Sequence, residues 1–93
     1  MNKYETVLII DPNLDDEACN AVVEKFAEMI SKEGNVEAKE TWGKRRLAYP
    51  IKKNNEGYYA QINFSSNPEF IDELTRIYNI TDEILKYIVV NKD

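Results

Sequence analysis

The spacing of apolar residues switches along this chain from two to about three and a half and back again. That order of periods leaves few folds open. Tyr4 to Ile10, YETVLII, is rich in β-branched and apolar residues and reads as a strand. Asp11-Pro12-Asn13 breaks it. Asn13 or Asp15 then caps a helix, and Asp15, Asp16 and Glu17 suit its positive end. Ala18, Val22, Phe26, Met29 and Ile30 recur at helical spacing as a buried face, with Glu24, Lys25, Glu28 and Lys32 on the wet side. Gly34 is a natural stop. Val36 to about Ile51 reads as a long second strand interrupted by Gly43, which marks a bulge or a close backbone approach. Lys52 to Glu56 and then Gly57 form a flexible polar turn. The third strand, GYYAQINF, puts Tyr58, Ala60, Ile62 and Phe64 on one face and Tyr59, Gln61 and Asn63 on the other. Asn67-Pro68-Glu69 starts a second helix, with Phe70, Ile71, Leu74, Ile77 and Tyr78 as its apolar stripe. Ile84 to Val90 is the last strand.

The resulting order, β-α-β-β-α-β, predicts an α+β, ferredoxin-like fold. A four-stranded antiparallel sheet would carry both helices on one face. A chain of 93 residues fits a single domain over residues 1–93, with one modest core and little room for a deep pocket. The opposite sheet face would show Val7, Ile9, Tyr59, Gln61, Lys86, Ile88 and Val90. That is more apolar surface than a solvated face needs and points to a partner, although single exposed apolar residues are ordinary.

The chain has no His and one Cys, so a zinc site, an internal disulfide and the usual neutral-pH acid–base residue are absent from the sequence. No cofactor or metal is implied. No apolar run approaches the ~18–20 residues of a membrane span, and the polar N-terminus lacks a signal-peptide core, so the expected compartment is the cytosol with no membrane association. The formal charge of −5 argues against a nucleic-acid partner only until the charges are placed. Residues 39–53, KETWGKRRLAYPIKK, carry six basic residues and Glu40, a net +5; the other 78 residues carry six basic and sixteen acidic ones, a net −10. Fields act locally over a Debye length of ~8–10 Å, so a basic stripe on an acidic body orients phosphate toward one side.

Trp42-Gly43-Lys44-Arg45-Arg46-Leu47-Ala48-Tyr49-Pro50-Ile51, followed by Lys53 and Gly57-Tyr58, resembles the signature of the bacterial small-subunit ribosomal protein six family. Tyr4-Glu5, the Asp11-Pro12-Asn13-Leu14 turn and Tyr87-Ile88-Val89-Val90 are similar to the same family, in order and over nearly the whole chain. The resemblance implies a structural constituent of the 30S subunit, located in the cytoplasm on the ribosome. It implies binding to the central domain of 16S ribosomal RNA, as a heterodimer with small-subunit protein eighteen, with no small-molecule substrate. Carried over by position, Arg45 and Arg46 fall on the paired arginines of the motif, Lys53 on a basic position after it, and Lys3 and Lys86 where the family tends to be basic. With Lys44 and Lys52 from the same stripe, these form the candidate RNA-binding set. Val7, Ile9, Tyr59, Gln61, Ile88 and Val90 form the candidate partner-binding set.

Adjacent arginines on a strand point to opposite faces, so Arg45 and Arg46 meet one RNA surface only at an edge or through strong twist. Trp42 and Tyr49 either stack on an unpaired base or pack beside the helices or under the edge, and Tyr59 on the open face is a further ring able to stack on a base, although the resemblance favours a protein partner there. Cys19 reads as a structural thiol with no evident cationic neighbour. Two other functions fit the fold less well. A generic single-stranded RNA module needs a basic-Gly-aromatic-small-aromatic third strand, whereas Glu56-Gly57-Tyr58-Tyr59-Ala60 opens on an acid. An acyl-phosphate hydrolase needs a phosphate cradle and an Arg in the first strand-to-helix loop, and Asp11-Pro12-Asn13-Leu14-Asp15-Asp16 offers neither. An enzyme is therefore not expected.

Overall fold

The computed structural model describes residues 1–92. Its elements are β1 (Asn2–Ile10), α1 (Asp16–Glu33), β2 (Gly34–Ile51), β3 (Asn54–Ser66), α2 (Pro68–Ile80) and β4 (Ile84–Asn91). The strands form one antiparallel sheet in the order β2-β3-β1-β4, so β2 and β4 are edges. This is the ferredoxin-like arrangement that the apolar periods predict.

Local chemistry explains the element boundaries. Asp15 is the N-cap of α1: its Oδ1 accepts from the Ala18 N–H at 2.7 Å. Asp11 Oδ1 accepts from the Asn13 N–H at 2.9 Å and tightens the preceding turn. Gly34 ends α1 and begins β2 with extended backbone. Glycine is needed there because a Cβ would lie 2.0 Å from the Ser65 carbonyl oxygen on β3. Asn67 caps α2 by position only, and its side chain makes no capping bond. Pro68 supplies the preset first turn.

Tyr4, Leu8 and Ile10 on β1, Tyr58, Ala60, Ile62 and Phe64 on β3, and Ile84 on β4 face the helices. α1 packs on the β2–β3 side and α2 on β4. The buried face of α1 is Cys19, Val23, Phe26, Ala27 and Ile30, with Val22 and Met29 half-buried beside it. The face is rotated by one residue from the expected one. Small Cys19 and Ala27 let the helix sit close to the sheet, which hydrophobicity alone does not reveal. At the centre, Tyr78 packs edge-on to Phe26 with ring centroids 4.8 Å apart, and its hydroxyl lies 3.2 Å from Thr6 Oγ1.

The β2–β3 hairpin departs furthest from a regular ladder. Its register shifts between Val36 and Ala38, between Thr41 and Gly43, and between Arg46 and Ile51. In the last shift, Leu47 to Pro50 oppose Asn55 alone, so Pro50 sits where no ladder N–H is required. Ladder pairing resumes at Ile51 and Asn54. The expected turn over Lys52–Glu56 therefore shortens to Lys52 and Lys53, with φ of 49° and 68°.

Candidate functional site

Pairing assigns each basic residue of the hairpin to a side. Arg45 lies opposite Gly57 and shares the open sheet face with Val7, Tyr59, Lys86 and Ile88. Lys44 pairs with core-facing Tyr58, and Arg46 pairs with Glu56, so both point to the helix side. The two arginines are thus on opposite faces of an edge strand. Lys52 and Lys53 project from the hairpin tip. Lys3 and Lys86 are exposed on β1 and β4, on the open face. The candidate RNA set therefore occupies two faces and a tip instead of one plane.

The stripe keeps most of its charge unneutralised. Lys39 is spent on an ion pair with Glu24 of α1. Among the described residues, Lys44, Arg45, Arg46, Lys52 and Lys53 form no ion pair with a carboxylate. The Arg45 Nε–H instead donates to the Trp42 carbonyl at 3.2 Å. Lys44 also faces Cys19, a cationic neighbour that the linear sequence hides. Burial nevertheless dominates and pushes the Cys19 thiol up, against the smaller opposing pull of Lys44. The thiol is fully buried and stays a core group.

On the open face, Ile88 and Val90 are 46% and 45% exposed. Val7 and Tyr59 are half-buried, and Gln61 donates to Glu5 Oε1 at 2.9 Å and to Asn63 Oδ1 at 3.2 Å. Ile9 differs from the expectation of an open contact residue: it is only 6% exposed. The irregular end of β2 folds Leu47 over it, and Gly57 lacks a side chain because Ile9 Cγ2 would stand 2.4 Å from its Cβ. Ile9 forms the floor of an apolar cup of about 220 Å³, walled by Val7, Leu47, Tyr49 and Ile88.

Neither flanking aromatic packs beside the helices. Tyr49 is 63% exposed, with the Lys86 ammonium 5.9 Å from its ring centre. Trp42 lies offset-stacked on Tyr59 at 6.3 Å and 21°. Reading the sequence alone missed that pairing, because the bulge at Gly43 that joins the two rings shifts the register by a residue. Among the described residues there is no group of three or more metal-ligating side chains, and no helix is long and apolar enough to cross a membrane.

An antiparallel α+β sheet with both helices on one face and a basic edge hairpin defines the class as a ferredoxin-like domain. Comparison with known proteins makes the class specific. The family model for ribosomal protein S6 matches residues 3–91. Small ribosomal subunit protein bS6 of Clostridium novyi (strain NT) is 52% identical over 94 aligned positions, covering 100% of this chain and 99% of the relative. The bS6 protein of Caldanaerobacter subterraneus subsp. tengcongensis is 42% identical over the same coverage. The crystal structure of 30S ribosomal protein S6 from Thermotoga maritima superposes with a TM-score of 0.93 at 33% identity, covering 98% of this chain and 87% of that one. The chain belongs to the ribosomal protein S6 family, and its role is structural, not enzymatic.

Proposed function

We propose that this protein, acting as a single domain in the small ribosomal subunit of the cytoplasm, binds the central domain of 16S ribosomal RNA together with small-subunit protein eighteen. One observation carries the reading: among the described residues, five basic side chains on an edge hairpin have no carboxylate partner, in a chain of net charge −5. Unpaired arginines are suited to bidentate phosphate contacts, and the lysines to point-charge contacts. Arg45, Lys3 and Lys86 would meet RNA from the open-face side. Lys44 and Arg46 would meet it from the helix side, and Lys52 and Lys53 at the tip. An RNA fold that embraces the hairpin edge uses all three surfaces. The apolar area of Val7, Tyr59, Ile88 and Val90, with Gln61 at its margin and Ile9 as the floor of the cup, suits the protein partner.

The test is titration of the protein onto a central-domain fragment of 16S RNA, with and without protein eighteen. Binding that tightens severalfold with the partner is expected. Arg45→Ala, Arg46→Ala and Lys53→Ala should each weaken it. No binding in either condition by a folded protein sinks the reading. Preferential binding of short unstructured RNA, with no gain from the partner, would favour a single-stranded RNA module of the same fold.

A further inference from the structure

We propose that the Trp42–Tyr59 stack is a seat for one unpaired RNA base, held beside Arg45 on the open face of the hairpin. The inference rests on the RNA-binding reading above and names a contact within it. Trp42 is the extra residue of the bulge between Thr41, opposite Ala60, and Gly43, opposite Tyr59. Bulges re-aim a side chain, and this one requires Gly43 at φ 76°. The redirected indole is held by two contacts, and the backbone beneath it by a third. The ring lies on Tyr59, its Nε1–H donates to Glu40 Oε2 at 3.1 Å, and the Trp42 backbone carbonyl accepts from the Arg45 Nε–H.

Trp42 is nevertheless 40% exposed as a residue. A large apolar surface that is both ordered and wet is prepared for a flat partner, since the entropy of positioning it is already spent. The surroundings favour a base over an apolar peptide side chain. Trp42 stands outside the apolar cup, at whose rim Tyr59 lies, so the seat borders the partner surface instead of overlapping its floor; of the hairpin cations, Arg45 shares this open face and has no carboxylate partner among the described residues. A stacked base would carry its own phosphate toward Arg45. Aromatic stacking of this kind tolerates any base and is one of the main ways proteins hold unpaired RNA.

Trp42 is the sole tryptophan, so its fluorescence reports on the seat directly. The full chain is titrated with the central-domain RNA fragment, with and without protein eighteen, while binding is followed separately by anisotropy of labelled RNA. Quenching of Trp42 that saturates with the anisotropy is expected. Trp42→Leu, which keeps an apolar group over Tyr59 but cannot stack, should lose roughly 5- to 100-fold in affinity. Trp42→Phe should restore most of it, and the salt dependence should stay that of the wild type in both. Should Trp42→Leu not fold, the quenching of the wild type and the affinity of Trp42→Phe decide. RNA binding with unchanged Trp42 fluorescence, or with full affinity in Trp42→Leu, overturns the base seat and leaves the RNA reading intact. Quenching by protein eighteen alone, without further change on RNA addition, also overturns it. Absence of any RNA binding in the anisotropy removes the RNA reading itself, and the seat with it.

Discussion

Tyr78 places a phenol hydroxyl 3.2 Å from Thr6 Oγ1, and both residues are essentially inaccessible to water. A buried hydroxyl left without its partner costs about 1–3 kcal/mol, whereas removing both partners together is nearly neutral. Tyr78→Phe should therefore lower stability by about 1–2 kcal/mol in urea unfolding, and adding Thr6→Val should recover much of the loss. The same burial pushes the Tyr78 phenol well above its ordinary value of 10.0. The native state thus holds that proton more tightly than the unfolded chain. Its contribution is fully present below about pH 10 and declines as pH rises above it. Tyr78→Phe should flatten the alkaline limb of the stability–pH curve, which urea midpoints measured on either side of pH 10 would reveal. Helical spacing marks Tyr78 as core from sequence alone. Its bond to Thr6 spans 72 positions, and periodicity carries no information at that range.

At the scale of the element, the β2–β3 hairpin is where local sequence and tertiary demand part. The strand interruption at Gly43 was legible, because a glycine among strand formers signals a bulge. The turn was not. KKNNEG offers Asn54, Asn55 and Gly57 as residues that tolerate positive φ, yet Lys52 and Lys53 adopt it. Packing decides this. Gly57 is held in the ladder opposite Arg45 because Ile9 occupies the space of its Cβ, and the bulge at Leu47–Pro50 then sets where the strands can close. Two lysines in left-handed geometry cost about 1–2 kcal/mol each relative to right-handed backbone. Lys53→Gly should therefore raise stability by about 0.5 kcal/mol, the strain relieved less the greater entropy of an unfolded glycine. Gly43→Ala should do the reverse. A Cβ there meets nothing within 4 Å, so its cost is conformational only, about 1 kcal/mol in chemical denaturation.

Across the whole molecule, the charge map sets how binding responds to salt. The clustering of basic residues at 39–53 could be read from the sequence, and so could the divergence of Arg45 and Arg46, since adjacent strand residues alternate. Withdrawal of Lys39 by Glu24 could not, because it depends on how α1 lies across β2. The division of the remaining cations into open face, helix side and tip means that no flat surface reaches all of them. Each phosphate neutralised releases condensed counterions, contributing about −0.9 to the slope of log affinity against log salt on a duplex and −0.7 on a single strand. Three to five contacts, the number one or two of these surfaces can make, correspond to a slope of roughly −2 to −5. The acidic body opposes any pose that turns away from the hairpin, so lost contacts are not replaced elsewhere. Arg45→Ala should then reduce the slope by nearly one unit as well as weakening binding. A slope unchanged in Arg45→Ala, Arg46→Ala and Lys53→Ala, measured on the same RNA fragment, would show that the phosphates are held by other residues.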